Sequence, residues 1–145
     1  MHEADKARLS GVIAPVTPEN CRTEIPSGVG GVEVRADLFD SLEDSLSLVS
    51  SLSEKFAVLV TPRHASQGGS WRWSEQERAA YCMDAMHRGA LLVDVEHGTE
   101  AAAILQAEGL KVLLSWHDFH GMITREDLQG LTAEMEGNDP AAIKV

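Results

Sequence analysis

An α/β fold of parallel strands joined by helices is what this 145-residue sequence predicts, and three observations carry the prediction. Short runs rich in β-branched residues alternate with longer stretches of helical period. Most of the short runs are apolar at successive positions, as strands covered on both faces must be. The stretches between them open on side-chain caps and close on glycines, which is how helices begin and end.

Taken in order, "GVIAPV" (Gly11 to Val16) reads as the first strand. The following "TPENCRTEIPSGVG" has two prolines and little period, so a loop or single turn replaces a helix there. "GVEVRADLF" (Gly31 to Phe39) is the second strand. Asp40 and Glu43 then have the spacing of a capping box, opening a helix whose apolar face is Leu42, Leu46, Val49 and Leu52. "FAVLVT" (Phe56 to Thr61) is the third strand. Ser74 and Glu77 open the next helix, in which Cys82, Met83 and Met86 fill core and Gly89 supplies the left-handed end. "ALLVDVE" (Ala90 to Glu96) is followed by a helix that stops at Gly109, and "KVLLSW" (Lys111 to Trp116) by a helix opened by Thr124 and Asp127. "AAIKV" (Ala141 to Val145) is the sixth strand. No repeat exists beyond this rhythm.

Length and composition, 43% hydrophobic, fit one globular domain spanning residues 1–145. The 12 Lys and Arg against 23 Asp and Glu leave a net charge of -11. That charge repels phosphate backbones and anionic bilayers, so neither nucleic acid nor a membrane is an expected partner. Cys21 and Cys82 have no metal-type spacing, and "MHEADKARLSG" lacks the apolar stretch of a secretory signal. Reduced thiols in a cytoplasmic protein are expected. No segment is long and apolar enough to span a bilayer.

Ligands of parallel α/β proteins bind at the carboxyl ends of the strands, where loops converge and helix N-termini point. Ionisable groups collect there on five successive strands. Glu33 and Arg35 alternate on the second strand and so face one side; they read equally as an ion pair and as ligands. Arg63 ends the third strand, before the loop "HASQGGSW", whose two glycines alone signal a flexible turn. Asp94 and Glu96 alternate on the fourth strand and read best as holding a neighbouring cation. "HDFH", with His117, Asp118 and His120, follows the fifth strand. His64, His97, Asp118 and His120 read as exposed loop residues, and the sixth strand carries Lys144.

In that order, "EVRADLF", "TPRHASQGG", "VDVE", "SWHDFHG" and "IKV" resemble the type I 3-dehydroquinate dehydratases of the shikimate pathway, from about Gly11 to the last residue. "SWHDF" is the most specific element. The resemblance implies a (β/α) barrel and a lyase that dehydrates 3-dehydroquinate to 3-dehydroshikimate with neither metal nor diffusible cofactor. Lys144 matches the Schiff-base lysine, and His117 the general acid and base. Glu33, Arg35, Arg63 and Gln67 match substrate-binding positions, with Asp94, Glu96 and Asp118 in support. Such a lysine needs a free amine, which desolvation in an apolar barrel wall would favour.

Two departures stand out. Gln67 replaces the glutamate that the family places before the double glycine, keeping an acceptor oxygen and losing a charge. A closed barrel takes roughly 250 residues, so the expectation is an incomplete barrel of the TIM type, about six parallel strands with helices outside. Its first and sixth strands would be open edges for a second copy or a partner chain. The alternative is a catalytically inactive relative serving as an interaction module or as part of a larger assembly.

Overall fold

The computed structural model describes residues 11–145, so most of the opening stretch read above for a leader lies outside the described residues. Six parallel strands form one sheet in the order of the chain: β1 (Ile13–Val16), β2 (Gly31–Val34), β3 (Val58–Val60), β4 (Leu92–Glu96), β5 (Leu113–Ser115) and β6 (Ala142–Lys144). Helices α1 (Leu42–Ser53), α2 (Glu75–His87), α3 (Glu100–Ala107) and α4 (Arg125–Glu136) follow β2, β3, β4 and β5 respectively. No helix joins β1 to β2, as the prolines required. Among the described residues the sheet is not closed, and β1 and β6 are its edges. None of the described helices is long and apolar enough to cross a membrane.

Alternation along the strands separates core from site. Val32, Val34, Val58, Val60, Val93, Val95 and Leu114 are buried against Leu46 and Val49 of α1, Ala79, Cys82 and Ala85 of α2, Ala101 and Leu105 of α3, and Met135 of α4. Residues between them turn to the other face. There Glu96, Ser115 and Lys144 lie side by side in register on β4, β5 and β6, with Asp94, Leu113 and Ala142 in the row before. The expectation of strands apolar on both faces is therefore corrected: only the helix-facing side is uniformly apolar.

Two local expectations also shift. β2 stops at Val34, and Ala36–Leu38 forms a 3₁₀ turn instead of extending the strand to Phe39. Asp37 folds back to bind Arg35 through both oxygens, at 3.0 and 2.9 Å, which bends the chain out of the sheet. The cap of α1 is Ser41, accepting from the Asp44 amide, one residue after the predicted Asp40 and Glu43. Ser74 and Glu77 make the reciprocal box predicted for α2, and Thr124 caps α4 as predicted. Both cysteines are free thiols; burial pushes the Cys82 thiol up to about 12, which suits inert core filling.

Candidate active site

At the carboxyl ends of β3 to β6 the inward groups meet in one buried ionic cluster. Arg63, just past β3, donates from Nη2 to Asp94 Oδ2 at 2.9 Å and from Nη1 to Glu96 Oε1 at 2.9 Å and Ser115 Oγ at 2.7 Å. Asp94, Glu96 and Ser115 are fully buried. A carboxylate removed from water persists as an ion only when paired and hydrogen-bonded, and the fork of the guanidinium serves two carboxylates at once. Burial works to raise the Glu96 carboxyl, but Arg78, the His64 amide and Arg63 outweigh it and hold Glu96 below the usual glutamate range.

Two nucleophilic or basic groups flank this cluster. Lys144 Nζ stands 3.6 Å from Asp94 Oδ2. His117 Nδ1 stands 3.4 Å from Arg63 Nη1 and 3.3 Å from Gln67 Oε1. The Gln67 oxygen also accepts the backbone N–H of His117 at 2.9 Å, which fixes that oxygen toward the ring. Nδ1 thus lies between an acceptor, Gln67 Oε1, and a donor, Arg63 Nη1; with Gln67 as its partner Nδ1 carries the proton and Nε2 keeps its lone pair. Burial, then the positive charges of Arg63 and Lys144, lower the His117 pKa against the opposing pull of Asp94 and Glu96. A neutral imidazole at neutral pH can take a proton.

The loop carrying Gln67 is shaped by its glycines. Gly68 has a φ of 78° and lies beneath the Phe119 ring, where a Cβ would come within 2.9 Å of ring carbons. A Cβ on Gly69 would collide with the Arg63 carbonyl, whose oxygen accepts the Trp71 amide at 3.1 Å. The pair that read only as a flexible turn thus permits a close approach that sets Gln67 against His117.

The remaining candidates take varied positions. Glu33 accepts from the Thr61 hydroxyl at 2.6 Å, at the edge of the same face. Arg35 pairs with Asp37 and not with Glu33, so the ion-pair reading of Glu33 and Arg35 is corrected. Asp37, buried, also accepts the Ser70 amide at 3.0 Å and ties β2 to the glycine loop. Asp118 is not brought into the cluster: it is exposed and accepts the His120 amide. Lys144 departs from the dry pocket expected for it, since its side chain is 46% exposed. Among the described residues it lies on an edge strand, with no strand beside its outer side.

Ser115, Asp37 and Arg78 escaped the sequence reading, Arg78 the most completely. Arg78 on α2 is fully buried, donates to the Pro62 carbonyl at 3.1 Å, and makes a short charged hydrogen bond to Glu96 Oε2. Its sequence signal was an i, i+3 pairing with Glu75, which reads as an exposed helix pair.

Three comparisons bear on this arrangement. The sequence matches the profile of the type I 3-dehydroquinase family over residues 19–145. A 3-dehydroquinate dehydratase of Thermococcus gammatolerans is 30% identical over 142 residues, covering 94% of this chain and 65% of the relative, and one of Klebsiella pneumoniae is 27% identical, covering 75% and 49%. The crystal structure of 3-dehydroquinate dehydratase from Geobacillus kaustophilus superposes with a TM-score of 0.76 at 25% identity, covering 92% of this chain and 60% of that one. This chain thus spans about two thirds or less of the length of these relatives.

Proposed function

The chain belongs to the type I 3-dehydroquinase family, and from that premise we propose that it acts as a 3-dehydroquinate dehydratase, with Lys144 as imine-forming nucleophile and His117 as proton shuttle. The observation that carries the reading is the placement of Lys144 and His117 around a single buried Arg63–Asp94 pair, 3.6 Å and 3.4 Å from its members.

The chemistry follows from those positions. Lys144 Nζ adds to the C3 ketone and water leaves, giving an imine whose protonated form withdraws electrons from C2. His117 Nε2 takes a C2 proton, and the electron pair moves into the iminium. The same imidazolium then protonates the C1 hydroxyl, which departs as water while the pair returns to form the C1–C2 double bond. Hydrolysis of the imine restores the lysine and releases 3-dehydroshikimate. Asp94 Oδ2, the oxygen that faces the amine, is shared with Arg63, while Oδ1 accepts the Ser115 hydroxyl. On this reading Glu33, Arg35 and Arg63 meet substrate hydroxyls, and Gln67, hydrogen-bonded to His117, orients the imidazole.

The proposal includes a single incomplete (β/α)-barrel domain over residues 1–145 and a cytoplasmic setting for an acidic chain with free thiols. A second copy or a partner chain along β1 or β6 would satisfy the edge amides and carbonyls, and sedimentation at several concentrations reads it. Formation of the conjugated enone product, followed by absorbance, tests the activity. Turnover that is lost on Lys144→Met and reduced about a thousandfold on His117→Ala supports the assignment; turnover unaffected by Lys144→Met refutes it.

A further inference from the structure

The cluster extends past the groups assigned above into a chain of alternating charge. Lys144 faces Asp94, Asp94 binds Arg63, Arg63 binds Glu96, and Glu96 binds Arg78, whose Nη2 donates to Glu75 Oε2 at 3.0 Å. Arg78 comes from a helix, touches neither His117 nor Lys144, and is wholly enclosed. It occupies Glu96 Oε2, leaving Oε1 for Arg63 and for the His64 amide at 3.1 Å. Glu75 is held in turn by the first turn of α3, accepting the Ala101 amide at 3.1 Å. The carboxylate that aims Arg63 at Ser115 and His117 is therefore itself aimed from α2.

We propose that Arg78 is a positioning residue of the site: by fixing and neutralising Glu96 from outside, it sets the orientation of Arg63 and so the proton affinity of His117. This rests on the reading of His117 as the proton-handling group. Without Arg78, two buried carboxylates share one guanidinium. The excess negative charge sits one residue from the imidazole and favours its protonated form. A buried pair serving only packing would have no such reach.

The test is the titration of His117 by NMR in the chain as it stands, its signal among six histidines assigned by loss in His117→Gln. The groups facing that ring are Arg63, Gln67, Asp94, Glu96, Lys144 and the stacked Phe119; all are retained in Arg78→Met. The proposal expects Arg78→Met to raise the His117 midpoint by about half a unit, a threefold gain in proton affinity, and Arg78→Lys to raise it less. Should Arg78→Met not fold, the double variant Arg78→Gln with Glu96→Gln removes one charge of each sign and is expected to stay near the parent midpoint. A midpoint unmoved by Arg78→Met overturns the proposal. So does a double variant whose midpoint falls as far as in Glu96→Gln alone. No substrate is involved, so failure of the dehydratase reading and failure of the Arg78 assignment register separately.

Discussion

Gln67 shows how much one side chain decides here. Its oxygen receives the backbone N–H of His117 and stands 3.3 Å from Nδ1 of the ring, yet it brings no charge. With burial, Arg63 and Lys144 all opposing protonation, the ring titrates below its ordinary 6.5. Gln67→Glu keeps the acceptor and adds a negative charge beside the ring, which stabilises the imidazolium; an upward shift of the His117 midpoint by about one unit is expected from NMR titration. Any enzymatic rate limited by the neutral imidazole should move its acid limb upward with it. The sequence made His117, Lys144, Arg63 and the two acids of β4 legible because each stands at a strand end. Arg78 was not legible, since its burial depends on Glu96, eighteen positions away in a different element. Asp118 read as an exposed loop residue and is one, its carboxylate turned to the His120 amide, so adjacency to His117 in sequence does not bring it to the ring.

Among the elements, the loop between β3 and α2 tolerates little change at its glycines. Gly69→Ala places a methyl against the Arg63 carbonyl and is expected to cost about 3 kcal/mol in denaturant unfolding, whereas Gly98→Ala meets open space, strained only by its φ of 79°. Caps were readable at α2 and α4 and glycine stops at α2 and α3, because both are local devices. Asp37 defeated the reading of β2: a bidentate contact to Arg35 and a bond to the Ser70 amide turned a strand-like sequence into a 3₁₀ turn. Thr99, the cap of α3, lacked the Glu or Gln partner that marks a box. Burial also ranks the strands. β3 is buried throughout and β6 has exposed residues at both ends, so hydrogen exchange should be slowest in Val58–Val60 and fastest in Ala142–Lys144.

At the scale of the whole molecule, the parallel order and the helix after each of β2 to β5 were predictable from hydrophobic rhythm alone, because each unit is local in sequence. The polar inward face was harder to read, since its charges acquire meaning only when four strands align. That face also sets the response to acid. His117 is depressed in the fold, so its contribution is complete above about 6.5 and is lost as pH falls through its lower folded value. Glu96 is likewise depressed; its contribution is complete above about 4.5 and is lost below, where the Arg63 and Arg78 contacts lose their anion. Thermal unfolding followed by circular dichroism should show a small fall in Tm below about pH 6.5 and a steeper one below about 4.5, the second step being blunted in the Arg78→Gln, Glu96→Gln double variant.

The central claim is that Lys144 is the nucleophile, and borohydride reduction in the presence of 3-dehydroquinate, read by intact mass and peptide mapping, addresses it most directly. The expected result is a single substrate-derived adduct on the peptide ending in Lys144 and Val145, absent in Lys144→Met and without substrate. No adduct at saturating substrate, or one that persists in Lys144→Met, would contradict it.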